Sequence, residues 1–181
     1  RYLTYKYIMP RFFEYNHVKP EDFRTKEKQY IATQLYKVAE RLKILMCRRI
    51  ANQMYQLEIP LHYKNSTECE TISVPVMIET MKGNLSQNNF ILTAKELADT
   101  MQVFSKKSRI ATQIKGQEDY NNIFMPINSA IEKADIEREE IDYVLLIGGS
   151  AQNPFIQEAL KKEFVDSQIL VPQDLQTHVS K

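Results

Sequence analysis

The chain of 181 residues has four glycines, and two of them stand side by side at Gly148-Gly149. They close an apolar run, Val144-Leu145-Leu146-Ile147, and precede a segment, Pro154 to Phe164, that reads as a helix. A strand that runs into Gly-Gly-Ser and then a helix is the joint of an α/β unit, where ligands bind beyond the carboxyl ends of the strands. Without a Cβ the chain can turn sharply and approach a ligand group. Ser150 adds a hydroxyl, and the first N–H groups of the following helix are expected to be unpaired. Asn153-Pro154 fits an N-cap followed by the first helical position. The short strand Ile169-Leu170-Val171 completes a β-α-β unit, which predicts a parallel pair with a right-handed crossover. A plain tight turn has the same sequence, so the joint alone leaves ligand binding open.

The second strong signal lies upstream. Over residues 26–54, Ile31, Leu35, Val38, Leu42, Leu45 and Arg49 alternate at spacings of four and three, the last member being polar. That pattern predicts one helix with a single core-facing stripe. On the opposite face, at 100° per residue, fall Glu40, Lys43, Ile44 and Cys47. Such a face can hold a flat polar ligand, the carboxylate accepting and the amine donating. A solvated face with a Glu–Lys pair at i,i+3 has the same pattern.

Around these two features the chain reads as alternating blocks. Residues 1–15 look helical, with Pro10 as a kink or stop. Tyr55 to Tyr63, Thr71 to Met81 and Asn89 to Leu92 read as a small antiparallel meander, with turns at 65–67 and 82–84. Pro60 and Pro75 point to edges or a bulge. Thr93-Ala94-Lys95-Glu96 is a capping box opening a helix to about Phe104. Residues 105–117 read as a loop or insertion, and Asp119 to Lys133 as an amphipathic helix. Pro126 either kinks that helix or lies in its first turn. Asp135 to Glu140 is an acidic turn, and 142–147 is the strand that leads into the glycines.

Composition narrows the function classes. Hydrophobic content of 43% and charged content of 26% are those of a soluble globular protein. No apolar run approaches the roughly 20 residues that span a bilayer. Cys47 and Cys69 form no C-x-x-C, so a reducing compartment, the cytoplasm, is expected. His17, His62 and His178 are scattered, and no metal site is expected. The net charge of +1 conceals an asymmetry. Residues 1–56 carry 12 Lys/Arg against 5 Asp/Glu, and residues 117–181 carry 5 against 12. This reads either as a basic surface for phosphates or as solvated helix faces. Partners among nucleic acids or membranes are not expected. The start at Arg1 without Met suggests a piece of a longer protein.

Together the two features resemble one family. Ile141-Asp142-Tyr143-Val144-Leu145-Leu146-Ile147-Gly148-Gly149-Ser150-Ala151-Gln152-Asn153-Pro154 is similar to the I-x-x-V-x-L-V-G-G-S-T-R-I-P segment of the seventy-kilodalton heat-shock chaperones, the DnaK type. Ala39-Glu40-Arg41-Leu42-Lys43 resembles that family's C-E-R-A-K-R-T-L-S helix. The resemblance implies a mixed α+β and α/β fragment of an actin-like ATPase fold. Residues 1–104 would form outer subdomain IIB, with long helices and a small antiparallel sheet. Residues 105–181 would form part of subdomain IIA, with helix, strand, Gly-Gly-Ser, helix and strand. It further implies that the chain holds the adenosine side of ATP or ADP, with Mg in the full-length parent. Glu40 and Lys43 would face ribose and base, while Gly148, Gly149 and Ser150 would approach the nucleotide. The family's stacking arginine falls at Ile44, its serine one turn later at Cys47, and the arginine after the glycines at Gln152. Asp174 would close the adenine side.

The same resemblance sets what is missing. The family's two phosphate loops and its catalytic lysine do not occur in these 181 residues. Phosphoryl transfer needs groups that hold metal and triphosphate in line, so the chain is expected to bind without hydrolysing. Two other readings stand beside this one. The chain is a docking module for a nucleotide-exchange factor, co-chaperone or scaffold, or it belongs to a sugar-kinase or filament-forming relative of the same superfold.

Overall fold

The computed structural model describes residues 1–57, 69–105 and 123–172. The chain divides into two compact units, Arg1–Thr100 and Met101–Lys181.

In the first unit, a π turn at Thr4–Ile8 passes directly into helix α1, Met9–Tyr15. Pro10 therefore does not stop the helix. It stands in the first positions of α1, and the wider turn lies just ahead of it, where the hydrogen-bond pattern changes. Leu3, Ile8, Met9, Phe12 and Phe13 are buried. The Phe13 ring stacks on Phe23 at 5.2 Å between centroids, and Phe12 on Phe90 at 6.4 Å.

Helix α2 spans Thr25–Leu57. Ile31, Leu35, Val38 and Leu42 are buried as the spacing predicts. Beyond Leu42 the expected stripe is displaced. Met46 and Ile50 are buried, whereas Leu45 is half-buried and Arg49 is exposed and paired with Glu70. Three successive steps of four residues each advance the stripe about 40° around the helix, so the core-facing side drifts along so long a rod. The helix also runs through Tyr55 to Leu57, so those residues are helical where a strand was expected. The rest of that expected strand, the turn at 65–67 and Pro60 lie outside the described residues.

Strands β1 (Cys69–Thr80) and β2 (Gly83–Thr93) form an antiparallel hairpin. The turn is Met81-Lys82, one residue earlier than expected, and Gly83 begins β2 with φ +110°. The register is broken between Ser73 and Val76, so Pro75 sits at a bulge, where a missing donor costs no ladder bond. The break also explains why only the end of β2 looked like a strand. Leu85 faces the core before it, Phe90 and Leu92 after it, and the alternation changes phase between them. Ile72 pairs with Phe90 and Ile78 with Leu85, which makes the hairpin's inner face apolar. The described sheet here has two strands, not the expected three.

Helix α3, Ala94–Ser105, opens with the expected capping box. The Glu96 N–H donates to Thr93 Oγ1 at 3.2 Å, and the Thr93 N–H donates to Glu96 at 3.0 Å. Arg11 pairs with the same carboxylate, tying α1 to the start of α3.

In the second unit, helix α4 spans Phe124–Ala134 and ends at Asp135, whose φ is +54°. Pro126 is its third residue and so belongs to the first turn, where no N–H is needed. Residues 106–122 lie outside the description, including most of the expected loop. A 3₁₀ turn, Arg138–Glu140, fills the acidic segment. Strand β3 (Tyr143–Leu145) pairs in parallel with β4 (Gln168–Leu170), and helix α5, Pro154–Glu163, connects them. Phe124, Leu160 and Phe164 form the buried cluster, with Val144, Leu146 and Ile169 packed against it from the strands. Tyr143, Leu145 and Ile147 lie exposed on the sheet's other side. No helix among the described residues is long and apolar enough to cross a membrane.

Candidate functional site

The first set of candidate residues stands on the outward face of α2. Glu40, Lys43, Ile44 and Cys47 follow the i, i+3, i+4, i+7 spacing that places side chains together on a helix. Glu40 and Lys43 are exposed, Ile44 is 40% exposed and Cys47 is half-buried. Neither Glu40 nor Lys43 makes a hydrogen bond or ion pair among the described residues. Burial pushes the Cys47 thiol up to about 11, against the pull of the Lys43 ammonium one turn away. At neutral pH Cys47 is therefore a protonated, weakly polar thiol, and it is no nucleophile. Among the described residues the face offers a free acceptor, a free cation and an aliphatic surface between them.

The second set is the joint after β3. Gly148 has φ +88°, a conformation that a residue with a Cβ adopts only under strain. Gly149–Gln152 then forms a 3₁₀ turn. The Ala151 N–H bonds the Gly148 carbonyl at 3.0 Å, and the Asn153 N–H bonds that of Ser150 at 3.1 Å. Gln157 on α5 reaches back and donates to the Ala151 carbonyl at 2.7 Å. Sequence reading missed this clasp. Its only trace is a long amide side chain in the first turn of the following helix. Ser150 and Gln152 are exposed, while Ala151 is buried.

One expectation about this joint is corrected. The start of α5 does not offer unpaired N–H groups. Pro154 has none, and Asn153 Oδ1 accepts from Phe155 at 3.0 Å. The N–H groups of Ile156 and Gln157 both bond the Asn153 carbonyl. The available donors lie earlier. The turn's own bonds begin with Ala151, so the N–H groups of Gly149 and Ser150 precede them. Short turns of this kind gather backbone donors into an anion-seeking concavity.

Glu40, Lys43, Ile44 and Cys47 belong to the first unit, and Gly148, Gly149, Ser150 and Gln152 to the second. Asp174 lies outside the described residues. The class these features define is a mixed α and β protein. One unit is a long helix backed by a hairpin, and the other is a strand–glycine–helix joint that presents backbone donors.

Comparison with known proteins agrees with that class. The sequence profile of the Hsp70 protein family matches residues 6–171. The chain belongs to the Hsp70 family, whose full-length members are chaperone ATPases built on the actin-like fold. It is 32% identical over 83 residues to hypoxia up-regulated protein 1 of Xenopus tropicalis, and equally so to that of Xenopus laevis. The alignment takes in 45% of this chain and 13% of each relative, so the similarity covers a small part of those proteins.

Proposed function

We propose that this chain supplies the adenosine side of a nucleotide site in a divergent, stress-related chaperone ATPase. The observation that carries the reading is the outward face of α2. There Glu40 and Lys43 are exposed, and unengaged among the described residues, beside Ile44, on a side of the helix that the core does not use. Glu40 would accept from ribose hydroxyls, Lys43 would donate on the base side, and Ile44 would cover one face of the purine. The Gly149 and Ser150 N–H groups would meet the nucleotide from the other set, and Gln152 and Asp174 would border it. This reading requires the two sets to converge on one nucleoside.

In this reading Glu40, Lys43 and Ile44 take the nucleoside half of ATP or ADP. Among the described residues no three His, Cys, Asp or Glu side chains gather to hold a cation, and no step is assigned to Mg. The 181 residues alone should bind without hydrolysing. Phosphate release that scales with protein concentration, and survives further purification, would overturn that part.

Binding should be weak. Ile44 offers contact but none of the cation–π attraction of an arginine at its place. An affinity of a few hundred micromolar, about −5 kcal/mol, is expected for adenosine or ATP. Ile44→Arg should tighten it by roughly 0.5–2 kcal/mol. Calorimetric titration of both proteins decides the matter. Equal affinities, or no binding by either, would assign the chain to protein docking without a ligand.

A further inference from the structure

The clasp between α5 and the glycine turn answers a deficit built into the turn's sequence. In a 3₁₀ turn each carbonyl accepts from the N–H three residues on. Three residues after Ala151 stands Pro154, which has no N–H. Four residues after it stands Phe155, whose N–H is taken by Asn153 Oδ1 at 3.0 Å. Ala151 is 5% exposed, so its carbonyl is a buried acceptor with no helical donor, a costly state for a backbone group. Gln157 Nε2 fills the gap, donating at 2.7 Å. The residue that does so is itself held. Gln157 is half-buried, and its backbone N–H bonds the Asn153 carbonyl at 3.1 Å.

The consequence reaches the donors that come before. The Ala151 N–H bonds the Gly148 carbonyl at 3.0 Å, and that bond closes a ring that contains Gly149 and Ser150. Ala151 is thus anchored at its amide by Gly148 and at its carbonyl by Gln157. With the second anchor gone, the peptide units on either side of Ala151 are free to rotate, and the ring turns with them.

We propose that Gln157 is a positioning residue for phosphate. By holding Ala151 it aims the N–H groups of Gly149 and Ser150 at one oxyanion, and so makes the chain prefer a nucleotide to the bare nucleoside, a role that rests on the proposed nucleotide site. Successive backbone N–H groups in a short turn converge on an anion only while their peptide planes are fixed. Gln157 touches no ligand in this role, because its donor is engaged by Ala151.

The test uses the whole chain and two variants. Gln157→Met keeps the side-chain length and removes the donor, and Gln157→Lys returns a donor of similar reach. Circular dichroism confirms that each is folded. Backbone amide NMR spectra without ligand are the first readout. The Gly149 and Ser150 signals should move in Gln157→Met and return toward their wild-type positions in Gln157→Lys, while those of Val144 and Leu146 on β3 stay in place. Titration with adenosine and with ADP is the second. Gln157→Met should lose about three- to tenfold in affinity for ADP, the range of one hydrogen bond, and less than about twofold for adenosine, which has no phosphate. The rescue by lysine is read in the spectra alone, since its charge attracts phosphate by itself. The proposal is overturned if the Gly149 and Ser150 signals do not move in Gln157→Met, or if Gln157→Lys leaves them displaced. It is also overturned if Gln157→Met weakens adenosine and ADP alike, the mark of a purely structural bond. A wild-type chain that binds neither ligand overturns the nucleotide reading and the phosphate preference with it, while the ligand-free spectra still decide whether Gln157 sets the turn.

Discussion

At Gly148 the backbone has φ +88°, while Gly149 beside it does not have a positive φ. A Cβ at either glycine would meet nothing within 4 Å, so any cost of substitution comes from the backbone alone. Gly148→Ala should therefore lose about 1–2 kcal/mol of stability. Gly149→Ala should be neutral or gain up to about 1 kcal/mol by restricting the unfolded chain. Urea denaturation of the two variants separates them, and equal losses would refute the turn geometry. Cys47 makes a second prediction at this scale. Its unfolded thiol ionises near the ordinary 9.0, whereas the folded one keeps its proton to about 11. Above pH 9 the unfolded state binds fewer protons than the folded state, so this contribution is full below pH 9 and is lost as the pH climbs toward 11. The stability of wild type relative to Cys47→Ala, measured from pH 8 to pH 11, should fall over that window. A constant difference would mean that the thiol is not held protonated by burial.

The elements show what periodicity can and cannot disclose. The first four members of the α2 stripe were legible because a 3.6-residue helix repeats faithfully over a few turns. The last two were not, because the drift that brings Met46 and Ile50 inward accumulates only along a rod of this length. Leu42→Ala should cost about 2–5 kcal/mol, and Leu45→Ala distinctly less, since Leu45 is only half-buried. A larger loss at Leu45 would put the phase back where the simple spacing had it. In β2 the alternation changes opposite the bulge that Pro75 makes on β1, and no local pattern could show a partner strand's irregularity. The capping box was legible because both its members are near in sequence. The third participant, Arg11, was not, because it comes from 85 residues away. Glu96→Ala should therefore cost more than the roughly 1 kcal/mol expected of Thr93→Ala, since it removes the cap and the Arg11 partner together. Thermal denaturation of both variants checks the order. The outward placement of Glu40 and Lys43 followed from the same helical period, whereas the donors after β3 depend on hydrogen bonds that sequence does not display.

Across the whole molecule, the basic side chains and the two halves of the candidate site are shared unequally between the units. The first unit has 15 of the 24 basic side chains and the helix face, and the second has nine of them and the glycine turn, while the acidic side chains divide almost evenly, 11 and 12. Membership of the Hsp70 family explains why a long helix backed by a hairpin and a strand–glycine–helix joint occur in one chain. The proposed function assigns residues of both units to one nucleoside. The most direct measurement is an NMR titration of the whole chain with ADP, following the backbone amides of Glu40, Lys43, Ile44, Cys47, Gly148, Gly149 and Ser150. If the proposed function holds, both groups shift together along one saturating curve, with the basic residues Lys26 and Lys37 unmoved. Shifts confined to one group, two unrelated curves, or none at millimolar ADP would contradict it.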